Sequence, residues 1–170
     1  MLGSSSQVSV RKGRVTDAKD LAEVFRDSWR QAYRGIIPHL HLETMIGRRG
    51  VEWWQGSLRS GDSVLVLEVC GDVAGYATWG ASRTRGQKQQ GEIYELYLAP
   101  LYQGLGFGEH LFEACRHHID QRKLKGVVVW SLLDNTPATD FYWRRGGRPI
   151  ARSFDRIGGA RLEKVAFAWS

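Results

Sequence analysis

Apolar and polar positions along the chain alternate between strand-like and helical spacing. Valines that alternate with polar residues predict a first strand from Val8 to Arg14. Apolar residues then recur at helical spacing from Leu21 to Ala32, and Gly35 and Pro38 end that pattern. Residues 40–58 contain one or two further helical stretches.

The middle of the chain has the strongest strand signals. A continuous apolar run from Ser63 to Cys70 predicts a buried strand, and a two-residue turn, Gly71-Asp72, leads into a return strand over residues 73–79. A polar loop over residues 82–90 separates these strands from Glu92–Leu98, which is rich in aromatic and aliphatic residues and predicts the central strand.

The last third alternates helix and strand once and ends on two strands. We expect a helix from about Gly108 to Lys123, a buried strand from Val127 to Leu133 and a short helix that ends at Arg145. Two strands follow, near residues 149–155 and 161–169. The order β, αα, βββ, α, β, α, ββ predicts the α+β class, and the chain length predicts a single domain over residues 1–170.

Composition excludes some classes of protein. There is no apolar run of 18 residues, so no membrane-spanning helix is expected. The first residues do not resemble a signal sequence, so a cytoplasmic protein with no membrane contact is expected. The net charge of +6 suits a ligand with several phosphates, and it would also suit nucleic acid.

The stretch after the central strand carries the most informative motif. Three glycines occupy alternate positions in Gln103-Gly104-Leu105-Gly106-Phe107-Gly108, directly before a helix. Such a loop lets the backbone approach a phosphate, and the free amides of the first helical turn attract an anion. A tight turn without a ligand would show the same pattern. The spacing fits neither the P-loop nor the dinucleotide-binding fingerprint.

The motif Gln103-x-x-Gly106-x-Gly108 resembles the pyrophosphate loop of the GNAT superfamily of acetyl-CoA-dependent N-acetyltransferases. A second block, from Asn135 to Gly147, resembles the segment that this family writes as Asn, a few residues, then Phe-Tyr-x-x-x-Gly-Phe, although Arg148 stands where phenylalanine is usual. The resemblance implies a central, mostly antiparallel mixed sheet of about seven strands flanked by about four helices.

The resemblance also implies that acetyl-CoA is the co-substrate, with no metal. Backbone amides of the loop are expected to hold its pyrophosphate, and those at the end of the preceding strand its pantetheine arm. The residues expected to bind the coenzyme are Leu98, Ala99, Gln103, Gly104, Leu105, Gly106, Phe107, Gly108, Asn135, Ala138, Phe141 and Tyr142.

Two side chains are expected to move protons. Tyr142 would donate to the leaving thiolate, since a phenol with a pKa near 10 is protonated at neutral pH. Glu92 is the expected base, acting through ordered water or after burial raises its pKa. Glu95 is its rival, although in a regular strand it would face the opposite side of the sheet unless a bulge intervened.

The acceptor pocket is expected near the first helix, where the family builds it. Trp29, Tyr33, Arg34 and Glu95 are the expected substrate-binding residues. The expected reaction is transfer of the acetyl group to a primary amine by direct attack in a ternary complex. The acceptor would be a small molecule or a peptide, and a homodimer is possible in this family.

Two other functions are consistent with the same residues. A non-catalytic acyl-CoA-binding or sensing module would keep the glycine loop without transferring the acyl group. A nucleic-acid-binding protein would use the arginines near the C-terminus, although no nucleic-acid partner is expected. Release of free thiol with an amine acceptor separates the enzyme from both.

Overall fold

Seven strands form one sheet with helices on both faces in the computed structural model, which describes residues 7–170. The strands are β1 (Val8–Lys12), β2 (Val64–Val69), β3 (Asp72–Ala81), β4 (Gly91–Leu98), β5 (Val127–Leu132), β6 (Arg148–Ile157) and β7 (Ala160–Trp169). The α-helices are α1 (Ala18–Tyr33), α2 (His39–Arg48), α3 (Val51–Arg59), α4 (Phe107–Gln121) and α5 (Thr136–Arg144). None of the helices within residues 7–170 is both long and apolar enough to cross a bilayer.

The order of the strands in the sheet is β1-β2-β3-β4-β5-β7-β6. All neighbours are antiparallel except β4 and β5. The predicted α+β class and the mostly antiparallel mixed sheet are therefore confirmed. Residues 7–170 contain five α-helices, where about four were expected. Of the one or two helical stretches expected over residues 40–58 there are two, because the backbone leaves the helical region at Arg49 and Gly50.

Strands β4 and β5 pair over only two positions, Gly91 with Val127 and Glu92 with Val128. Beyond them β4 stays with β3 up to Leu98, whereas β5 stays with β7 up to Leu132. The sheet is therefore split along the C-terminal halves of its two central strands. Backbone groups along this split lack a strand partner, and buried groups of that kind require another partner.

Two apolar cores lie on opposite faces of the sheet. Helix α4 packs on one face through Leu111, Phe112, Cys115 and Ile119, all essentially inaccessible to solvent. Helices α1 to α3 cover the other face, with Phe25 and Trp54 among the fully buried side chains.

Helix α5 is anchored to the end of the sheet by Trp169, whose indole Nε1 donates a hydrogen bond to the Arg145 carbonyl at 3.0 Å. The indole also packs against Tyr142, with ring centroids 6.0 Å apart. Gly147 lies directly under this indole, and a Cβ at this position would be 2.5 Å from Trp169 Cζ2. The absence of a side chain at Gly147 therefore allows α5 to dock where the sheet splits.

Gly147→Ala is expected to destabilise the protein by about 1–3 kcal/mol, because the added methyl must displace a packed indole. Gly56→Ala is the matched control: Gly56 lies within α3 with open space around the Cβ position, so this change should stabilise by up to about 1 kcal/mol. Urea unfolding of both variants measures the difference. Equal midpoints would contradict the role assigned to Gly147.

Candidate active site

Two adjacent cavities occupy the split between β4 and β5. The larger one, about 760 Å³, runs between the end of β4, the glycine loop and α5, and is called the outer cleft here. The smaller one, about 210 Å³, lies between α1, β4, β5 and the β6–β7 hairpin, and is called the inner cavity. Both are lined by Leu96, Tyr97, Asn135, Ala138 and Tyr142. A ligand in the outer cleft could therefore present a reactive group to a second ligand in the inner cavity.

The glycine loop forms one wall of the outer cleft. Gly104 and Gly106 have φ angles of 75° and 83°, in the left-handed region that favours glycine. Gly106 is the N-cap of α4, so the unpaired amides of that helix's first turn begin here. Gly108 packs closely, since a Cβ there would lie 3.0 Å from Phe141 Cε2. The loop therefore has the geometry of an anion site at a helix N-terminus.

The end of β4 supplies the second wall. The Ala99 amide donates to the Ala74 carbonyl at 2.9 Å, so it points toward β3. Because successive amides of a strand point to opposite edges, the Leu98 amide points into the split. The Gln103 side chain donates through Nε2 to the Leu98 carbonyl at 2.9 Å and fixes the loop to the strand.

Most residues expected to bind the coenzyme line the outer cleft. Those that line it are Leu98, Gln103, Gly104, Gly106, Gly108, Asn135, Ala138, Phe141 and Tyr142. Three others, Ala99, Leu105 and Phe107, do not: the Ala99 amide is bonded within the sheet, Leu105 is exposed, and Phe107 packs against the core beside α4. The contact expected from the Ala99 amide is therefore not available.

Two arginines at the end of α5 line the outer cleft, and sequence reasoning did not include them among the site residues. Arg145 pairs with Glu109 of the first turn of α4 at 2.5 Å, and its guanidinium lies 5.1 Å from the Phe141 ring centroid. Arg144 lines the same cleft. Their signal was the excess of arginine near the C-terminus, which does not by itself show which arginines face a ligand.

Tyr142 lies where the two cavities meet. Its ring packs among Phe112, Phe167 and Trp169, and it is 5% exposed. Burial raises the pKa of its hydroxyl above the usual value of 10, so the phenol stays protonated at neutral pH. Asn135 caps α5, and its side-chain oxygen accepts from the Ala138 amide at 3.4 Å.

A β-bulge in β4 decides which carboxylate faces the inner cavity. Glu92 pairs with Gly80 and Glu95 with Thr78, so Tyr94 is an extra residue in the ladder. The partners of the two glutamates lie two positions apart on β3, and both carboxylates therefore point to the same face of the sheet. The opposite orientation expected for a regular strand does not occur.

Glu95 lines the inner cavity and is held by Arg49. The Arg49 guanidinium donates to both carboxylate oxygens, at 2.7 and 2.9 Å. The same guanidinium lies over three aromatic rings, with centroid distances of 4.2 Å to Phe25, 4.1 Å to Trp53 and 4.9 Å to Trp54. Burial lowers the pKa of Arg49 and the bond to Glu95 raises it, with a net rise. Arg49 therefore remains cationic.

Glu92 lines neither cavity. The residue is 5% exposed, and its carboxylate accepts hydrogen bonds from the Arg83 amide at 2.9 Å and from the Thr84 hydroxyl at 3.4 Å. The Thr84 hydroxyl in turn accepts from Trp130 Nε1 at 2.8 Å. These contacts fix the polar loop over residues 82–90 to the sheet. The catalytic role predicted for Glu92 stays a prediction, and its surroundings favour a structural role.

The other expected acceptor residues separate into two groups. Trp29 and Tyr33 line the inner cavity, and the Tyr33 hydroxyl is hydrogen-bonded to that of Tyr97. Arg34 follows the end of α1, is exposed, and does not line the cavity. Within residues 7–170, no cluster of three histidine, cysteine or acidic side chains could hold a metal ion.

A known family model matches most of the chain. The model described as the Acetyltransferase (GNAT) family matches residues 20–146. A Bacillus subtilis (strain 168) protein named "Uncharacterized N-acetyltransferase YuaI" is 30% identical over 162 residues, which cover 95% of this chain and 92% of that protein.

Solved structures share the fold. A GCN5-related N-acetyltransferase from Rhodopseudomonas palustris superposes with a TM-score of 0.77 at 23% identity, covering 100% of this chain and 98% of that one. The PaiA N-acetyltransferase of Thermoplasma acidophilum, solved in complex with coenzyme A, gives a TM-score of 0.73 at 20% identity, covering 93% and 97%. At these identities the likeness is one of fold.

Proposed function

Because the chain belongs to the GNAT family of acetyltransferases, we propose that it transfers the acetyl group of acetyl-CoA to a primary amine by direct attack, with both substrates bound together. The observation that carries this proposal is the meeting of two cavities at Tyr142. One cavity is the larger and has a glycine loop in its wall, and the other is small and lined in part by aromatic rings. No covalent enzyme intermediate is needed when two ligands meet directly.

The outer cleft suits the donor. Phosphate groups would lie against the amides that begin α4, where the helix dipole contributes about half a positive charge. Arg144 and Arg145 supply further positive charge along the same cleft. The pantetheine arm would extend along the open edge of β4, where the Leu98 amide offers a hydrogen bond. The residues present therefore fit coenzyme A.

The residues around the inner cavity suit the transfer step. The amine nitrogen forms a bond to the thioester carbon, the carbon–sulfur bond breaks, and the Tyr142 hydroxyl donates a proton to the departing thiolate. The acceptor is an ammonium at neutral pH, so it releases one proton to water before it attacks, and the second proton lost by the nitrogen restores the phenol. Glu95 lines the acceptor side, and its oxygens keep lone pairs beyond those used by Arg49, so it can orient the amine directly or through water.

Gly106→Ala is expected to weaken coenzyme A binding at least about tenfold, because a methyl would project into the cleft and the residue must keep a positive φ. Gly86→Ala is the control, since Gly86 has a φ of 78° in the polar loop and equally open space. Both changes should destabilise folding similarly. Calorimetric titration with coenzyme A measures binding, and equal affinities in the two variants would contradict the assignment of the loop.

Tyr142→Phe is expected to lower the rate of thiol release by about 10²–10⁴-fold without loss of coenzyme A binding. The raised pKa keeps the wild-type phenol protonated, so the ratio of the two rates should stay constant up to about pH 9. Thiol release from acetyl-CoA with a panel of primary amines measures the effect. An unchanged rate in the variant would remove Tyr142 from this role.

Glu95→Gln is expected to lower kcat at least about tenfold, because the cavity loses the carboxylate that faces the amine. Glu92→Gln should affect kcat much less, since Glu92 lines neither cavity and accepts its bonds from the loop over residues 82–90. The same assay compares the two variants, with urea unfolding as the control for stability. If Glu92→Gln proved the more damaging, Glu92 would be the base.

A further inference from the structure

The inner cavity is small, and aromatic rings form a large part of its walls. Its volume of about 210 Å³ is below the roughly 300–1,000 Å³ of common small-molecule sites. The rings that line it belong to Trp29, Tyr33, Tyr94, Tyr97, Trp130 and Tyr142. Aromatic walls favour an apolar body, and they attract one cation through their faces.

Both carboxylates of the inner cavity are already paired with a cation. Arg49 binds both oxygens of Glu95 from behind the cavity wall. Lys164 lies 3.1 Å from Asp155 across the β6–β7 hairpin, and its ammonium lies 4.9 Å from the Trp130 ring centroid. Each negative charge at the cavity wall is therefore balanced by a neighbouring positive charge.

The remaining polar groups of the cavity add no charge. Burial raises the pKa of Tyr33 and, further, that of Tyr97, so both phenols are neutral at ordinary pH. A ligand with a second ammonium would leave water for a site without a free anion, and an uncompensated charge is costly to bury. A ligand with a carboxylate would meet the same difficulty, because Asp155 already engages Lys164.

We propose that the acceptor is a monoamine with an aromatic or aliphatic body, not a polyamine, and that Arg49 sets this selectivity by neutralising Glu95. The proposal rests on the proposed function, since it names the substrate class of the same site. The guanidinium of Arg49 is seated among the rings of Phe25, Trp53 and Trp54, so a ligand cannot displace it without losing these contacts.

The test uses probes that differ by one charge. Pentylamine and 1,4-diaminobutane are similar in size, but one ends in a methyl group and the other in a second ammonium; 2-phenylethylamine adds an aromatic ring. Each is titrated calorimetrically into protein saturated with coenzyme A. Both monoamines should bind at least about tenfold more tightly than the diamine. Equal or tighter binding of the diamine, or no monoamine binding at millimolar concentration, would overturn the proposal.

Variants then locate the origin of the selectivity. Arg49→Met should narrow the ratio of pentylamine to diaminobutane affinity, whereas Arg49→Lys should largely preserve it, because lysine keeps the positive charge. Should Arg49→Met fail to fold, Lys164→Met tests the same principle at Asp155 and should narrow the ratio less. If the ratio of pentylamine to diaminobutane affinity stayed unchanged in every methionine variant that folds, charge pairing would not be the cause of the selectivity.

Thiol release from acetyl-CoA, measured with the same three amines, separates this proposal from the proposed function. Selective binding of monoamines without thiol release would defeat the transfer reaction and leave the selectivity standing. Thiol release that prefers the diamine would support the transfer reaction and defeat the selectivity.

Discussion

The separation of β4 from β5 after two paired residues is the constraint on which the rest of the site depends. Strand β4 stays paired with β3, and β5 stays paired with β7, so the sheet remains continuous on both sides while its centre opens. Gly91 lies in the paired part, where α4 packs so closely that a Cβ at this position would lie 2.4 Å from Ile119 Cγ2. The core thus packs against the paired end, and the unpaired end opens into the two cavities.

The two faces of the split are built by different forces. On the side of α4, aromatic packing among Phe112, Tyr142 and Trp169 fixes α5 at the rim of the outer cleft. On the side of α1 to α3, an ion pair seated among rings joins Arg49 to Glu95. Packing therefore positions Tyr142, the proposed donor to the leaving thiol, whereas electrostatics positions Glu95, the carboxylate proposed to face the amine.

Local signals in the sequence predicted the parts of the site that are local in the chain. The glycine loop, the short helix before Gly146 and the seven strands each depend mainly on neighbours within a few residues, and the sequence predicted each of them. The sequence did not predict the role of Arg49, because its partner Glu95 is 46 residues away and nothing near Arg49 in the chain specifies that contact. Lys164 and Asp155 were missed for a similar reason, since their meeting depends on the register of β6 and β7. Contacts between segments that are distant in the chain can be recognised only once the fold is known.

The bulge at Tyr94 affects both the stability of the fold and the position of a candidate site residue. Without the extra residue every side chain after it would change faces, since the period of a strand is two. Glu95 and Tyr97 would then enter the apolar core beside α4, and Leu96 and Leu98 would leave it for the other face. A carboxylate in that core would be unpaired, which costs far more than the irregular ladder. The bulge is therefore required for stability, and by the same displacement it brings Glu95 to the inner cavity and to Arg49.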